Sequence, residues 1–196
     1  MAAYEEELDS ESRHDAELML RVSSGDAGAM REIIERHQDS VYATARRMLS
    51  DSADAEDIAQ RTFIRVWKAA SSYEPKAKFT TWLYTILRNL VFNETRRMGR
   101  KPTCSSDAME EEYGQLLHTD PSPSPSEDME ARELEDAVEC AIAELPEKAR
   151  LAVQLRRFQE MSYEEIAAVI GMSVSATKSL LFRARQSLRE SLAKYL

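Results

Sequence analysis

Apolar residues recur at helical spacing along most of the chain, with no strand-like alternation of any length. Leu18, Met19, Leu20 and Val22 predict a short first helix, from about Asp15 to Gly25. Asp26 then caps a second, carried by Met30, Ile33, Ile34 and His37 and continued by Val41, Ala45, Met48 and Leu49. Asp54, Glu56 and Asp57 stand near the first turn of a third helix, where carboxylates complement the positive dipole end. Ile58, Phe63, Val66 and Trp67 give that helix a partly apolar face. Pro75 has no N–H and disfavours helix before it, so 71–78 reads as a loop. Helix resumes at Phe79, with Leu83, Ile86, Leu87 and Leu90 as its buried stripe, and should fail near Gly99 or Pro102.

After a polar stretch with alternating Ser and Pro, which reads as a linker, the period returns from about Leu134 through Val138, Ala141, Ile142 and Leu145. Pro146 starts a helix running from Glu147 to about Phe158. Ser162-Tyr163-Glu164-Glu165 is a capping box opening the next. Ile166, Ala167, Ile170, Gly171 and Met172 then have helix-turn-helix spacing, with a small residue where two helices cross and a glycine where φ turns positive. Ser173 caps a last helix from Val174 to about Lys194, whose Val174, Leu181, Ala184 and Leu188 face inward. Ser175, Lys178, Ser179, Phe182 and Arg183 fall on the other side, as candidates to enter a major groove, with Arg185 and Arg189 placed for phosphates. An ordinary helical hairpin shows much of the same periodicity. Thr177 stands where an aliphatic side chain is usual.

The fold class that follows is all-α, with two small helical domains joined by a flexible acidic linker, the second a helix-turn-helix. The expected division is a disordered acidic arm over 1–14, a first domain over 15–101, the linker over 102–135 and a second domain over 136–196. The net charge of −9 is misleading as a total, because residues 1–17 carry −6 and residues 103–136 carry −10. The remainder is +7, and such asymmetry points to nucleic acid. Cys104 and Cys140 are too few and too far apart for a disulfide framework, and with His118 they lack the close-spaced ligands of a zinc site. His37 has no neighbours to complete a metal site, so neither metal nor cofactor is expected. No apolar run of about 18 residues and no leader pattern occurs, so the expected location is the cytoplasm, without membrane insertion.

The chemistry concentrates between Tyr73 and Lys101. Residues 76–101 hold seven bases against the single acid Glu94. Trp82, Arg88, Asn89, Asn93, Arg96 and Arg97 lie largely off the buried stripe. Aromatic faces among cations and amides suit single-stranded nucleic acid, since bases stack, phosphates need Lys or Arg, and amides read exposed base edges. Trp82, Tyr84 and Phe92 could instead simply fill core, and the local positive charge weighs against that.

These residues resemble the extracytoplasmic-function group of bacterial sigma factors over roughly 16–100 and 136–194. The matching pieces are Asp54 to Gln60 with Phe63 and Trp67; Phe79-Thr80-Thr81-Trp82-Leu83 with Ile86 and Asn89; Arg96-Arg97; Leu145-Pro146; Tyr163 to Ala167; and Arg183-Ala184-Arg185. The resemblance implies a promoter-selecting subunit of RNA polymerase, monomeric when free and not an enzyme. Asp54, Glu56, Asp57, Gln60 and Arg61 would dock on the clamp helices of the largest polymerase subunit. Tyr73, Lys76, Lys78, Phe79, Trp82, Asn89, Asn93, Arg96 and Arg97 would capture a flipped base and the separated strand of the −10 element. Ser173, Ser175, Lys178, Ser179, Phe182, Arg183 and Arg185 would read the −35 element, in a domain that also touches the flap of the second large subunit. An anti-sigma factor is a further partner that the resemblance makes plausible.

In the recognition helix, where the family often has Gly-Thr-Val-Lys-Ser-Arg, this chain has Ser175-Ala176-Thr177-Lys178-Ser179-Leu180, so no −35 sequence carries over. Family promoter elements lie about 17 base pairs apart, on the order of 58 Å at about 3.4 Å per pair. A linker of this length averages only about 30–35 Å end to end as a coil, so polymerase would have to hold the two readers apart. A dimeric helix-turn-helix regulator, a helical adaptor with no DNA role and a nuclease are the rival readings. The first leaves 54–67 and 73–97 without a role, the second predicts that charge reversal at Lys178 and Arg183 changes nothing in transcription, and the third lacks a ligand set.

Overall fold

A computed structural model describes residues 10–49, 51–99 and 125–195. The expected acidic arm up to residue 9 and most of the linker, with Cys104 and His118, lie outside the described residues. Among the described residues eight α-helices run in chain order: α1 Ser10–Ser23, α2 Ala27–Met48, α3 Ser52–Ala69, α4 Phe79–Met98, α5 Pro125–Ala143, α6 Glu147–Phe158, α7 Tyr163–Ile170 and α8 Val174–Ser191. Among the described residues there is no strand.

Local chemistry fixes most boundaries. Asp26 accepts from the backbone N–H groups of Gly28 and Ala29, and Asp51 from those of Ala53 and Asp54, so α2 and α3 each start on an aspartate cap. Gly99, at φ 60°, ends α4 in the left-handed region. Pro146 immediately precedes α6. Ser162 and Glu165 form the reciprocal capping box at α7, and Gly171, at φ 66°, closes it.

Two boundaries differ from the sequence reading. The first helix begins at Ser10 rather than near Asp15, because its inner face is partly polar: Ser12 and Asp15 are buried beside Leu18, Met19 and Val22. Asp15 accepts from Arg36 Nε and is bonded to His37 Nε2, both at 2.9 Å, so an ion-paired carboxylate does the anchoring that apolar periodicity would have announced. Helix α5 starts at Pro125, inside the stretch expected to be linker.

Helices α1 to α4 form one bundle and α5 to α8 another, and the two pack on each other. Helix α4 lies against α7, and α2 against α6. Their buried side chains make one continuous core, from Leu18, Ile33 and Ile58 through Leu83, Leu87 and Leu90 to Leu155, Ile166 and Leu181. A smaller cluster of Leu145, Ala149 and Ala184 joins α6 to α8.

Candidate nucleic-acid interface

Helix α8 stands on Ser173, whose hydroxyl accepts from the Ala176 N–H at 3.2 Å. Leu181 and Ala184 are buried, and Val174 and Leu188 half-buried, so the inner face follows the sequence reading. Ser173, Ser175, Lys178, Ser179, Arg183 and Arg185 are all exposed. Phe182 is 70% exposed, an unusual position for a large aromatic ring. The Lys178 ammonium lies 5.6 Å from the Tyr163 ring centre. Arg185 Nη2 donates to the Tyr163 hydroxyl at 3.4 Å, and that guanidinium holds the phenol below its ordinary pKa. Helix α8 thus offers a basic face with one projecting ring, backed by the turn at Gly171, which is the shape that a major groove admits.

The loop and helix of the first bundle differ more from expectation. Tyr73 and Phe79, expected to meet a DNA strand, are 8% and 1% exposed. They form an interior aromatic cluster instead: Phe79 lies 5.2 Å from His37 and 6.1 Å from Trp82, and Tyr73 lies 5.1 Å from Trp82. Tyr84 is core as well, at 1% exposure. Trp82 and Phe92 are half-buried against the core. The physical reason is apolar area: these rings are stabilised more by packing on one another, and through Phe79 on His37 of α2, than by standing in water. Of Tyr73, Phe79, Trp82 and Tyr84, only Trp82 keeps a partial solvent edge. Lys76, which pairs with Glu74, is exposed, as are Asn89, Asn93, Arg96 and Arg97. Lys78 is half-buried and pairs with Glu165 of α7 at 3.4 Å.

Arg97 donates to Glu94 Oε1 through Nε at 2.9 Å and Nη2 at 2.5 Å. Glu94 also lies 4.0 Å from Arg61, which donates to Asp57 at 2.9 Å. The two expected surfaces, for strand and for polymerase, are therefore linked by a chain of charges running Asp57–Arg61–Glu94–Arg97. Glu56 accepts from Gln60 at 3.2 Å, Asp54 is half-buried, and Glu56, Asp57, Gln60 and Arg61 face outward from α3.

Sequence reasoning passed over Ile64, 51% exposed, and treated Trp67, 42% exposed, as part of the apolar face. Both project from α3 away from its buried stripe of Ile58, Ala59, Thr62, Phe63 and Val66, and that offset was the available signal. Among the described residues no cluster of His, Cys, Asp or Glu could hold a metal, and no single helix is long and apolar enough to cross a membrane.

Residues 33–101 match the sigma-70 region 2 family and residues 135–188 the sigma-70 region 4 family. Over 176 residues the chain is 36% identical to the ECF RNA polymerase sigma factor SigE of Mycolicibacterium smegmatis, covering 88% of this chain and 66% of that one. Over 184 residues it is 35% identical to the ECF RNA polymerase sigma-E factor of Escherichia coli, covering 91% of this chain and 94% of that one. The solved structure of the sigma factor RpoE in complex with the anti-sigma factor NepR from Bartonella quintana matches with a TM-score of 0.61 and 28% identity, over 83% of this chain and 96% of that one. With two matched regions in the right order, the chain belongs to the extracytoplasmic-function group of RNA polymerase sigma factors, the subunits that direct promoter-specific transcription initiation.

Proposed function

We propose that this chain docks on core polymerase through the outward face of α3, reads the −35 element with α8 and holds the separated −10 strand on α4. The observation that carries the reading is the exposed face of α8, where Ser175, Lys178, Ser179, Phe182 and Arg183 stand clear of the core on a capped helix behind a glycine turn. On α3 the docking residues are Glu56, Asp57, Gln60 and Arg61 at the rim, Asp54 beside them and Ile64 with Trp67 as the apolar centre, a composition that suits a protein partner. On α4 and its loop Trp82, Lys76, Lys78, Asn89, Asn93, Arg96 and Arg97 meet the strand, while Tyr73 and Phe79 support Trp82 from beneath.

Melting then proceeds by binding alone, without hydrolysis. Stacking and hydrogen bonds to an unpaired base offset the few kcal/mol of unpairing, as in other base-flipping proteins. The chain acts in the cytoplasm, where its polymerase is. The complex with an anti-sigma factor formed by the structurally similar RpoE supports a comparable inhibitor for this chain.

The test is run-off transcription from a promoter library, using purified core polymerase with and without the full chain. Transcripts sharing one −10 and −35 pattern only when the chain is added are expected. A chain that neither binds core nor initiates anywhere overturns the reading.

A further inference from the structure

Resting on the reading that Trp82 meets the separated strand, we infer that His37 is a positioning residue of the −10 reader: anchored by Asp15 of α1, its ring holds the Phe79–Trp82 stack in the place where an unpaired base is received. Helix α4 begins at Lys78 without a side-chain cap, whereas α2, α3, α7 and α8 each start on a capping side chain. Packing must then fix where its first turn lies. Phe79, the first residue of that turn, is 1% exposed, and its ring stands 5.2 Å from the His37 ring of α2, inclined by 54°. Trp82 follows one turn on, 6.1 Å from Phe79, with Tyr73 set edge-on to both. These are the separations of favourable aromatic pairs, so the position of each ring limits the next.

His37 is itself held in one orientation. Its Nε2 donates to Asp15 Oδ2 at 2.9 Å, and Arg36 Nε donates to the other carboxylate oxygen at the same distance. The Asp15 side chain is 3% exposed and that of His37 12%. Arg36 alone balances the charge of the carboxylate, so the histidine bond adds direction rather than neutrality. Apolar side chains of similar volume would stabilise such an interior as well or better. What the polar pair supplies in their place is a single setting of the ring, since turning the imidazole leaves a buried oxygen without its donor.

Helix α1 thereby becomes part of the reader. It lies before the matched region 33–101 and offers the strand no group of its own, yet its buried carboxylate sets the ring beneath the platform. The path runs Asp15–His37–Phe79–Trp82, across α1, α2 and α4. The docking residues of α3 stand outside it, Gln60 bonded to Glu56 and Arg61 to Asp57. Loosening the path therefore moves the platform and spares polymerase docking.

The experiment labels the full chain with 5-fluorotryptophan and reads the fluorine resonances of Trp67 and Trp82, told apart by a Trp67→Phe sample. The same proteins, bound to core polymerase, are titrated with a fluorescent single strand carrying the −10 pattern that run-off transcription yields. His37→Phe keeps a ring and loses the donor, and Asp15→Asn keeps the shape and loses the charged acceptor. Both should shift or broaden the Trp82 resonance and weaken strand binding about three- to tenfold, part of what a base stack contributes. Their affinity for core polymerase should stay within about twofold of wild type, as for a site that shares no partners with the change. Arg36→Gln is the control for a purely structural role, because it weakens the same buried network and leaves the His37–Asp15 bond standing. It should lower the melting temperature about as far as Asp15→Asn does, with strand binding within about twofold of wild type. Strand binding and a Trp82 resonance unchanged in His37→Phe and Asp15→Asn, or strand binding reduced equally in Arg36→Gln, overturns the proposal. The reading beneath it has its own check: a Trp82→Ala holoenzyme that holds the strand as tightly as wild type removes Trp82 from the reader, whatever His37 does.

Discussion

Thr177 stands where related recognition helices usually carry an aliphatic side chain, and its surroundings show how a hydroxyl is accommodated. The residue is fully buried, and its Oγ1 donates back to the Ser173 carbonyl at 3.0 Å, which also receives the Thr177 N–H. Removing the hydroxyl leaves that carbonyl still satisfied, so Thr177→Val should shift stability by less than about 1 kcal/mol in thermal denaturation. Tyr84 is the opposite case. Its ring is core, its hydroxyl lies beside those of Ser40 and Thr44 without a well-formed hydrogen bond, and burial pushes its pKa from 10.0 up to about 12. The unfolded tyrosine loses its proton first, so the folded state keeps its full advantage below pH 10 and loses it as pH rises toward 12. Tyr84→Phe should remove that part of the alkaline loss, on the order of 2–3 kcal/mol, measured as the difference between wild-type and variant denaturation midpoints across pH 10–12. From sequence, Tyr84 and Trp82 look alike. Only the packing of α4 against α2 decides that one is interior and the other keeps an edge.

At the level of elements, the legible parts were those whose ends carry their own chemistry. Asp26, Pro146, Ser162 with Glu165, and Gly171 each satisfy or forgo particular backbone groups, and their helices start or stop where those residues stand. Helix α1 was legible only in its apolar half, because Asp15 does with an ion pair what a leucine would do by burial. Helix α8 was legible on both faces, and it carries the sharpest functional expectation. Phe182→Ala should cost roughly fivefold or more in run-off transcription at promoters with a thymine methyl under the ring, with no loss of thermal stability, since the ring contributes little to the core. Arg189→Ala should weaken holoenzyme binding about evenly across −35 sequences and reduce the slope of log affinity against log salt by about one, as for a lost phosphate contact.

For the whole molecule, division into two helical halves was readable from the polar stretch between them, and so was the type of each half. Their mutual packing was not. Arg150 reads as one charge on an amphipathic helix, and nothing in its neighbours along the chain tells that it reaches a carbonyl at Met48. Arg88 likewise reads as a cation for phosphate, and its bond to Val169 spans 81 positions of sequence. Contacts of that separation leave no periodic trace. The core that results, unbroken from Leu18 to Leu181, makes the two halves one thermodynamic unit. A scanning calorimeter should therefore record a single endotherm for the full chain, with calorimetric and van't Hoff enthalpies in agreement, where independently folded reading heads on a tether would give two. Heat would then disarm both readers at one temperature, and a warmed cell would hold no population of half-working factors able to occupy polymerase without finding a promoter.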